Sequence, residues 1–256
     1  ALIVVFGVLI IIRNKNENNE AALFSAYLVG AEVLFRMSGG MVFHELPKYS
    51  VLIFLIIGLY VEKKSHHISV SYLIYILLLL IGIAFTDIPF NESIRKAIAF
   101  NLSGPVLLGV SAIYFYKRNF EVSSLLNVLF FMCLPIFSML SLLYFKTPNL
   151  EKIAFGTNAN FAASGGYGPN QVSTLLGVGV FIFTVHLFFK KRFFTLFLID
   201  IVFFVYLIFR GLLTFSRGGM LTAFLAMGIF ITFYILATKD KTKNLFKYVG
   251  LIGLFG

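Results

Sequence analysis

Apolar residues fall in long blocks along this chain, and short polar clusters separate them. The blocks cover 1–12, 21–37, 47–61, 70–86, 101–116, 122–145, 170–189, 193–209, 218–237 and 247–256. A helix that crosses the hydrocarbon core takes about 20 residues, within a range of roughly 17–25. Several blocks are apolar on every side, so a 3.6-residue period does not single out a lipid-facing stripe. Strands of a membrane barrel would alternate over about ten residues, and these blocks do not. Helices also satisfy every backbone N–H and C=O within the segment, as lipid demands. The pattern predicts an all-α fold: a polytopic transmembrane helical bundle of about ten segments, forming a single transmembrane domain over 1–256.

Composition removes the soluble alternatives. Hydrophobic residues make up 59% of the 256 and charged residues 12%, against about 25% charged in a typical soluble domain. Mean hydropathy is +0.94. The net charge of +10 raises the question of nucleic acid. The basic residues, however, stand in short clusters between apolar blocks, which is how membrane topology is encoded. No nucleic-acid partner is expected. Cys133 is the sole cysteine; it excludes an intramolecular disulfide and a cysteine-cluster metal site, and reads as a small buried hydrophobe. Thirty-two Phe accompany no Trp, and nothing in the physics accounts for the missing Trp. Ala1 to Ile12 lacks the basic leader and cleavage site of a signal peptide. The chain begins and ends inside apolar runs, so it reads as an incomplete portion of a longer protein.

Loop charges then assign sides. Loops 13–20, 62–69, 117–121, 190–192 and 238–246 hold twelve cations, and loops 38–46, 87–100, 146–169 and 210–217 hold six. The positive-inside rule places the first set in the cytoplasm. Arg217 and the long loop Lys146 to Pro169 then face outward. Neither an internal repeat nor an inverted pair of Gly/Pro-broken segments of the transporter kind is visible.

The chemistry of greatest interest lies in Arg210 to Met220, which reads R-G-L-L-T-F-S-R-G-G-M. An arginine between membrane-length segments is costly unless water, protein or an anionic ligand receives it. Arg217 sits in Ser216-Arg217-Gly218-Gly219 at the start of a long apolar segment. A helix N-terminus favours anions, and arginine adds a fork matched to phosphate oxygens. The competing reading is an interfacial arginine snorkelling to lipid headgroups. Arg210 closes the preceding segment at the same surface, either facing the same cavity or serving as a helix-end anchor.

Other polar residues within or beside the apolar blocks each have two readings. Glu32 and Arg36 share a helix face and can pair; they form either a structural ion pair or a second phosphate contact oriented by Glu32. His44 and Glu45 follow in an outer loop, where exposure alone makes them acid–base candidates. Asp200, near the middle of block 193–209, must be protonated, hydrogen-bonded or paired. It serves either an ion or proton relay or an interhelical hydrogen bond. Tyr167, Asn170 and Gln171 surround Gly168-Pro169, and supply neutral groups that suit sugar hydroxyls as well as a helix-entry turn. His66 and His67 lie in a solvated basic loop with too few ligands for a metal. His186 is read as interfacial. The H-E-x-x-H, Walker A, G-x-S-x-G and GxGxxG motifs are not found.

Thr214-Phe215-Ser216-Arg217-Gly218-Gly219 opening an apolar helix resembles the start of the conserved domain of O-antigen ligases and O-antigen polymerases. Gly168-Pro169-Asn170-Gln171 two segments earlier, and Asn101-Leu102-Ser103-Gly104-Pro105 before an apolar helix, look similar to further features of that family. The resemblance covers most of the chain in topology and about twenty residues in motif. It implies a multi-pass enzyme of the bacterial inner membrane, of the type C glycosyltransferase kind. Such an enzyme transfers a glycan from an undecaprenyl-diphosphate carrier to a glycan or lipid-core acceptor on the periplasmic or exterior side, without metal or cofactor. It further implies that Arg217 holds the diphosphate, helped by Arg210 and Arg36, with Ser216, Gly218, Asn170, Gln171 and Tyr167 lining the site. The family's catalytic base, often a histidine in a large outer loop, would fall after Gly256, so no catalytic residue is named. A transporter or flippase of lipid-linked glycan, and a membrane scaffold, are the competing functions.

Overall fold

The computed structural model describes residues 2–41, 43–63, 67–86, 93–147 and 159–237. The block 247–256, the loop 238–246, residues 148–158 of the loop 146–169, part of the loop 87–100, and His66 lie outside the described residues. The described residues form nine helices and no strand. They are α1 (Leu2–Asn14), α2 (Glu20–Ser38), α3 (Leu46–Val61), α4 (Val70–Ala84), α5 (Ile94–Phe115), α6 (Val122–Lys146), α7 (Pro169–Phe188), α8 (Phe197–Leu213) and α9 (Arg217–Ala237). Five stretches are long and apolar enough to cross a membrane: Glu20–Ser38, Ala97–Phe115, Val122–Lys146, Pro169–Phe188 and Arg217–Ala237. These apolar helices support the reading of a multi-pass membrane protein.

Three boundaries differ from the apolar blocks. α5 begins at Ile94, so Arg95 and Lys96 belong to its first turn rather than to a loop, and Asn101-Leu102-Ser103-Gly104-Pro105 falls inside it rather than ahead of it. α8 starts and ends four residues later than its block, which puts Arg210 in its last turn. Asp200 moves correspondingly from mid-segment to the first turn of α8. Hydropathy alone could not place these ends, because Phe193 to Leu196 are apolar enough to extend the run without being helical.

Helix ends follow local chemistry. Pro169 opens α7, where its missing N–H has no partner to lose. α2 closes at Gly39, whose φ of 68° is left-handed. The Gly39 and Gly40 N–H groups then return to the Arg36 and Phe35 carbonyls at 3.3 and 3.0 Å.

The chain divides into two compact units, 1–142 and 143–256. In the first, Ile11, Leu28, Phe54, Leu55 and Tyr114 are buried in one apolar core. Beside it lies a buried polar network. Arg118 grips Glu62 through two bonds of 3.0 and 2.7 Å, donates to the Tyr114 carbonyl and sits over the Tyr114 ring at 4.0 Å. Asn16 bridges Glu62, the Tyr114 hydroxyl and the Ala21 amide. The network ties the α1–α2 turn to the ends of α3 and α5. α4 has no buried residue and meets α5 where Gly109 lets Ile76 approach.

In the second unit, α7 is the most enclosed element. α9 runs parallel to it: Asn170 meets Ser216 at one end, and Phe188 meets Tyr234 at the other. Between those ends the backbones nearly touch. A Cβ at Gly177 would lie 2.7 Å from the Gly219 carbonyl and 2.9 Å from Ala223, and one at Gly219 would overlap the Thr174 amide and Ser173 Oγ. Small residues at such crossings are how helices approach closely in lipid.

Candidate functional site

The parallel packing of α7 and α9 brings their two N-termini side by side, which joins the Pro169 and Ser216 motifs. Ser216, 6% exposed, donates its hydroxyl to Asn170 Oδ1 at 2.8 Å. Its carbonyl accepts from Ser173 Oγ at 3.0 Å, and its N–H donates to Thr214 Oγ1 at 3.2 Å. Both helix starts bring the positive end of the macrodipole to one surface; at α7 the Gln171 and Val172 N–H groups already bond the Gly168 carbonyl.

Arg217 is the first residue of α9. Its side chain is exposed, with no hydrogen bond or ion pair among the described residues. The two glycines after it differ. Gly219 is buried and holds the contact with α7, whereas Gly218 is exposed, with open space where a Cβ would stand. Gly218 alone of the pair leaves the backbone open to a ligand. Beside Arg217 runs a groove of about 460 Å³ lined by Leu212, Phe215, Ser216, Arg217, Met220, Leu221 and Phe224. One end is cationic and polar, and the rest is apolar. Asn170 and Gln171 are exposed at the start of α7, and Tyr167 is half-buried just before it.

Arg210 is placed differently. It is 2% exposed. Its Nη2 donates to the Leu143 carbonyl at 3.1 Å, to Thr147 Oγ1 at 3.1 Å and to the Ala163 carbonyl at 3.3 Å, while its Nε is buried without a partner. Every one of these acceptors is neutral. Leu143 belongs to the last turn of α6, where the helix dipole favours a cation.

Arg36 lies in the first unit, and Arg210 and Arg217 in the second. The spacing of Glu32 and Arg36 produces the ion pair it predicts. Arg36 Nη1 also donates to His44 Nε2 at 2.7 Å. Arginine has no acceptor, so a ring-nitrogen lone pair of the imidazole receives that bond. His44 is thereby tied to the α2 end rather than free in its loop. Glu45 precedes α3 without a side-chain cap.

Asp200 is 1% exposed. Its Oδ1 accepts the Phe194 N–H at 3.0 Å, and its Oδ2 has no partner. The bond joins the chain ahead of α8 to the first turn of that helix; among the described residues no partner on another helix takes part. His186, read as interfacial, is instead 3% exposed. Its Nδ1 lies 3.0 Å from the Ile182 carbonyl, and its ring packs on Phe193 at 4.4 Å. Among the described residues, no group of three or more His, Cys, Asp or Glu is gathered to hold a metal.

Comparison with protein-family models, curated proteins and solved structures finds no match for this chain. Sequence reasoning named Thr214 only as the first residue of the Ser216 motif and missed Thr147, Asn160 and Ser173, the neutral residues that bond Arg210, Ser216 and the turn between them. Nothing in their type or spacing separates them from the other hydroxyl and amide residues of the chain. Only the fold brings them to this end of the unit.

Proposed function

We propose that this protein transfers or polymerises a glycan carried on undecaprenyl diphosphate at the extracytoplasmic face of a bacterial inner membrane, with a growing glycan or a lipid core as acceptor. The observation that carries the reading is the groove beside Arg217: an unpaired guanidinium and a helix N-terminus at one end, and Leu212, Met220, Leu221 and Phe224 along the rest. A polyprenyl diphosphate has the same division, an anionic head on an apolar tail. Departure of the diphosphate places negative charge where Arg217 and the N–H groups of α9 stand, and fixed positive charge there lowers the barrier. Asn170, bonded to Ser216 of the groove, and its chain neighbours Gln171 and Tyr167 are groups that suit sugar hydroxyls. The resemblance of the Ser216 and Pro169 motifs to O-antigen ligases and polymerases, and a type C glycosyltransferase-like architecture, belong to this reading.

The test uses purified protein in detergent with a lipid-diphosphate glycan donor. Turnover is expected in the wild type. Arg217→Ala and Arg217→Lys are expected to abolish it while protein levels hold. Normal product from Arg217→Ala overturns the reading. The second reading, a transporter or flippase of lipid-linked glycan, is favoured by Asp200, whose unpartnered carboxyl oxygen suits an ion or proton relay. Detergent leaves nothing to transport across, so turnover there decides for the enzyme.

A further inference from the structure

We propose that Arg210 is a positioning residue that docks the outer segment around Ala163 and through it fixes the α8–α9 turn that presents Arg217; the consequence for ligand rests on the functional reading above. The bonds form a closed loop. Arg210 Nη2 holds the Ala163 carbonyl at 3.3 Å. The Ala163 N–H holds Asn160 Oδ1 at 3.0 Å, and the Asn160 N–H donates to the Thr214 carbonyl at 2.8 Å. Thr214 is one helical turn beyond Arg210, so the ring closes along α8.

Thr147 braces the ring, accepting from Arg210 at 3.1 Å and donating to the Ala162 carbonyl at 3.3 Å. Thr214 passes it on. Its hydroxyl donates to the Gly211 carbonyl at 2.7 Å and accepts the Ser216 N–H at 3.2 Å. Ser216 and Arg217 therefore inherit their placement from a segment that Arg210 holds. A single guanidinium nitrogen, Nη2, meets acceptors on α6 and on the outer segment at once; it is carried at the far end of a planar group that a lysine stem does not reproduce in reach or rigidity.

The experiment measures two things on the full chain in phosphatidylcholine nanodiscs. One is hydrogen exchange at the Asn160 and Ser216 amides. The other is affinity for undecaprenyl diphosphate as probe. Arg210→Gln is expected to speed exchange at both amides by roughly 10- to 100-fold, the scale of lost bonds to a charged donor, and to weaken the probe about tenfold. Arg210→Lys is expected to do the same despite keeping the charge. Arg217→Gln is expected to weaken the probe with both amides still protected.

Loss of probe affinity in Arg210→Gln with unchanged amides makes Arg210 a direct ligand and overturns the proposal. So does full retention of affinity by Arg210→Lys. Should Arg210→Gln fail to accumulate, Thr147→Val decides, because it leaves the charge in place: faster exchange at Asn160 and Ser216 supports the ring, and unchanged exchange overturns it. A wild type that does not bind the probe removes the functional reading, while the amide measurements still decide the role of Arg210.

Discussion

Ser216 Oγ donates to Asn170 Oδ1 across 2.8 Å, joining the residue just ahead of α9 to the first turn of the parallel α7, 46 residues earlier in sequence. The bond fixes which end of the Asn170 amide points outward, since the oxygen faces Ser216 and the NH₂ is left to present its donors. It also holds the polar ends of α7 and α9 together above an interface whose close approach depends on glycine.

Each alanine variant of that pair, Ser216→Ala and Asn170→Ala, is expected to cost about 1 kcal/mol of stability, with a coupling of similar size in the double variant. Reversible unfolding in mixed detergent micelles measures the cycle. Additive effects of the two substitutions would show that the residues act independently.

Gly218 and Gly219 are adjacent, yet opposite outcomes are expected for them. Gly218→Ala adds a methyl group in open space and removes glycine's backbone freedom, so stability holds or rises by about 0.5 kcal/mol. Gly219→Ala drives the methyl group into the Thr174 amide and Ser173 Oγ, and a loss of about 1–3 kcal/mol is expected as α7 and α9 part. Thermal unfolding of the two variants side by side is sufficient; equal effects would contradict the close crossing.

Asp200→Asn is expected to be tolerated within about 1 kcal/mol, because the amide keeps a carbonyl oxygen for the Phe194 N–H. Asp200→Ala leaves that N–H unsatisfied and is expected to cost about 1–3 kcal/mol. The same pair of variants bears on function. If Asp200→Asn loses glycan product in cells while the fold holds, the carboxyl group itself is used; the transporter reading gains only where the wild type shows no turnover in detergent.

Arg118→Met takes the arginine away from Glu62, whose side chain is 3% exposed, and a loss of about 3–5 kcal/mol is expected. Adding Glu62→Gln removes the uncompensated charge and is expected to recover a large part of it. Yield of folded protein and unfolding midpoint report both. A double variant no better than Arg118→Met would mean that the loss lies in packing on Tyr114 rather than in charge.

Much of the fold was legible because lipid leaves the backbone few choices. Apolar blocks located every described helix, and Pro169 and the Ser216 motif marked two helix starts. The Glu32–Arg36 pair followed from spacing alone. The ends of α5 and α8 were not legible, since hydropathy does not distinguish an apolar loop such as Phe193 to Leu196 from an apolar helix. The same limit misplaced Asp200. Residue type and position alone did not separate Arg210 from Arg217; only the family resemblance gave Arg217 the diphosphate and Arg210 a helping part. Both stand beside apolar runs, and only tertiary contacts make one buried and bonded and the other exposed and free. The Arg118–Glu62 network was invisible for a related reason, because its members are 56 residues apart and each alone reads as an ordinary loop charge.

Phe215 closes the turn between α8 and α9 with a φ of 51°, a conformation that a bulky side chain adopts only under constraint, and the same side chain forms part of the groove wall. Glycine there would relax the backbone and open the wall. Selection for a sturdier protein and selection for a well-shaped groove therefore pull this position in opposite directions. A screen for thermostability alone would drift toward Phe215→Gly and enrich proteins that last longer and have lost part of the groove wall.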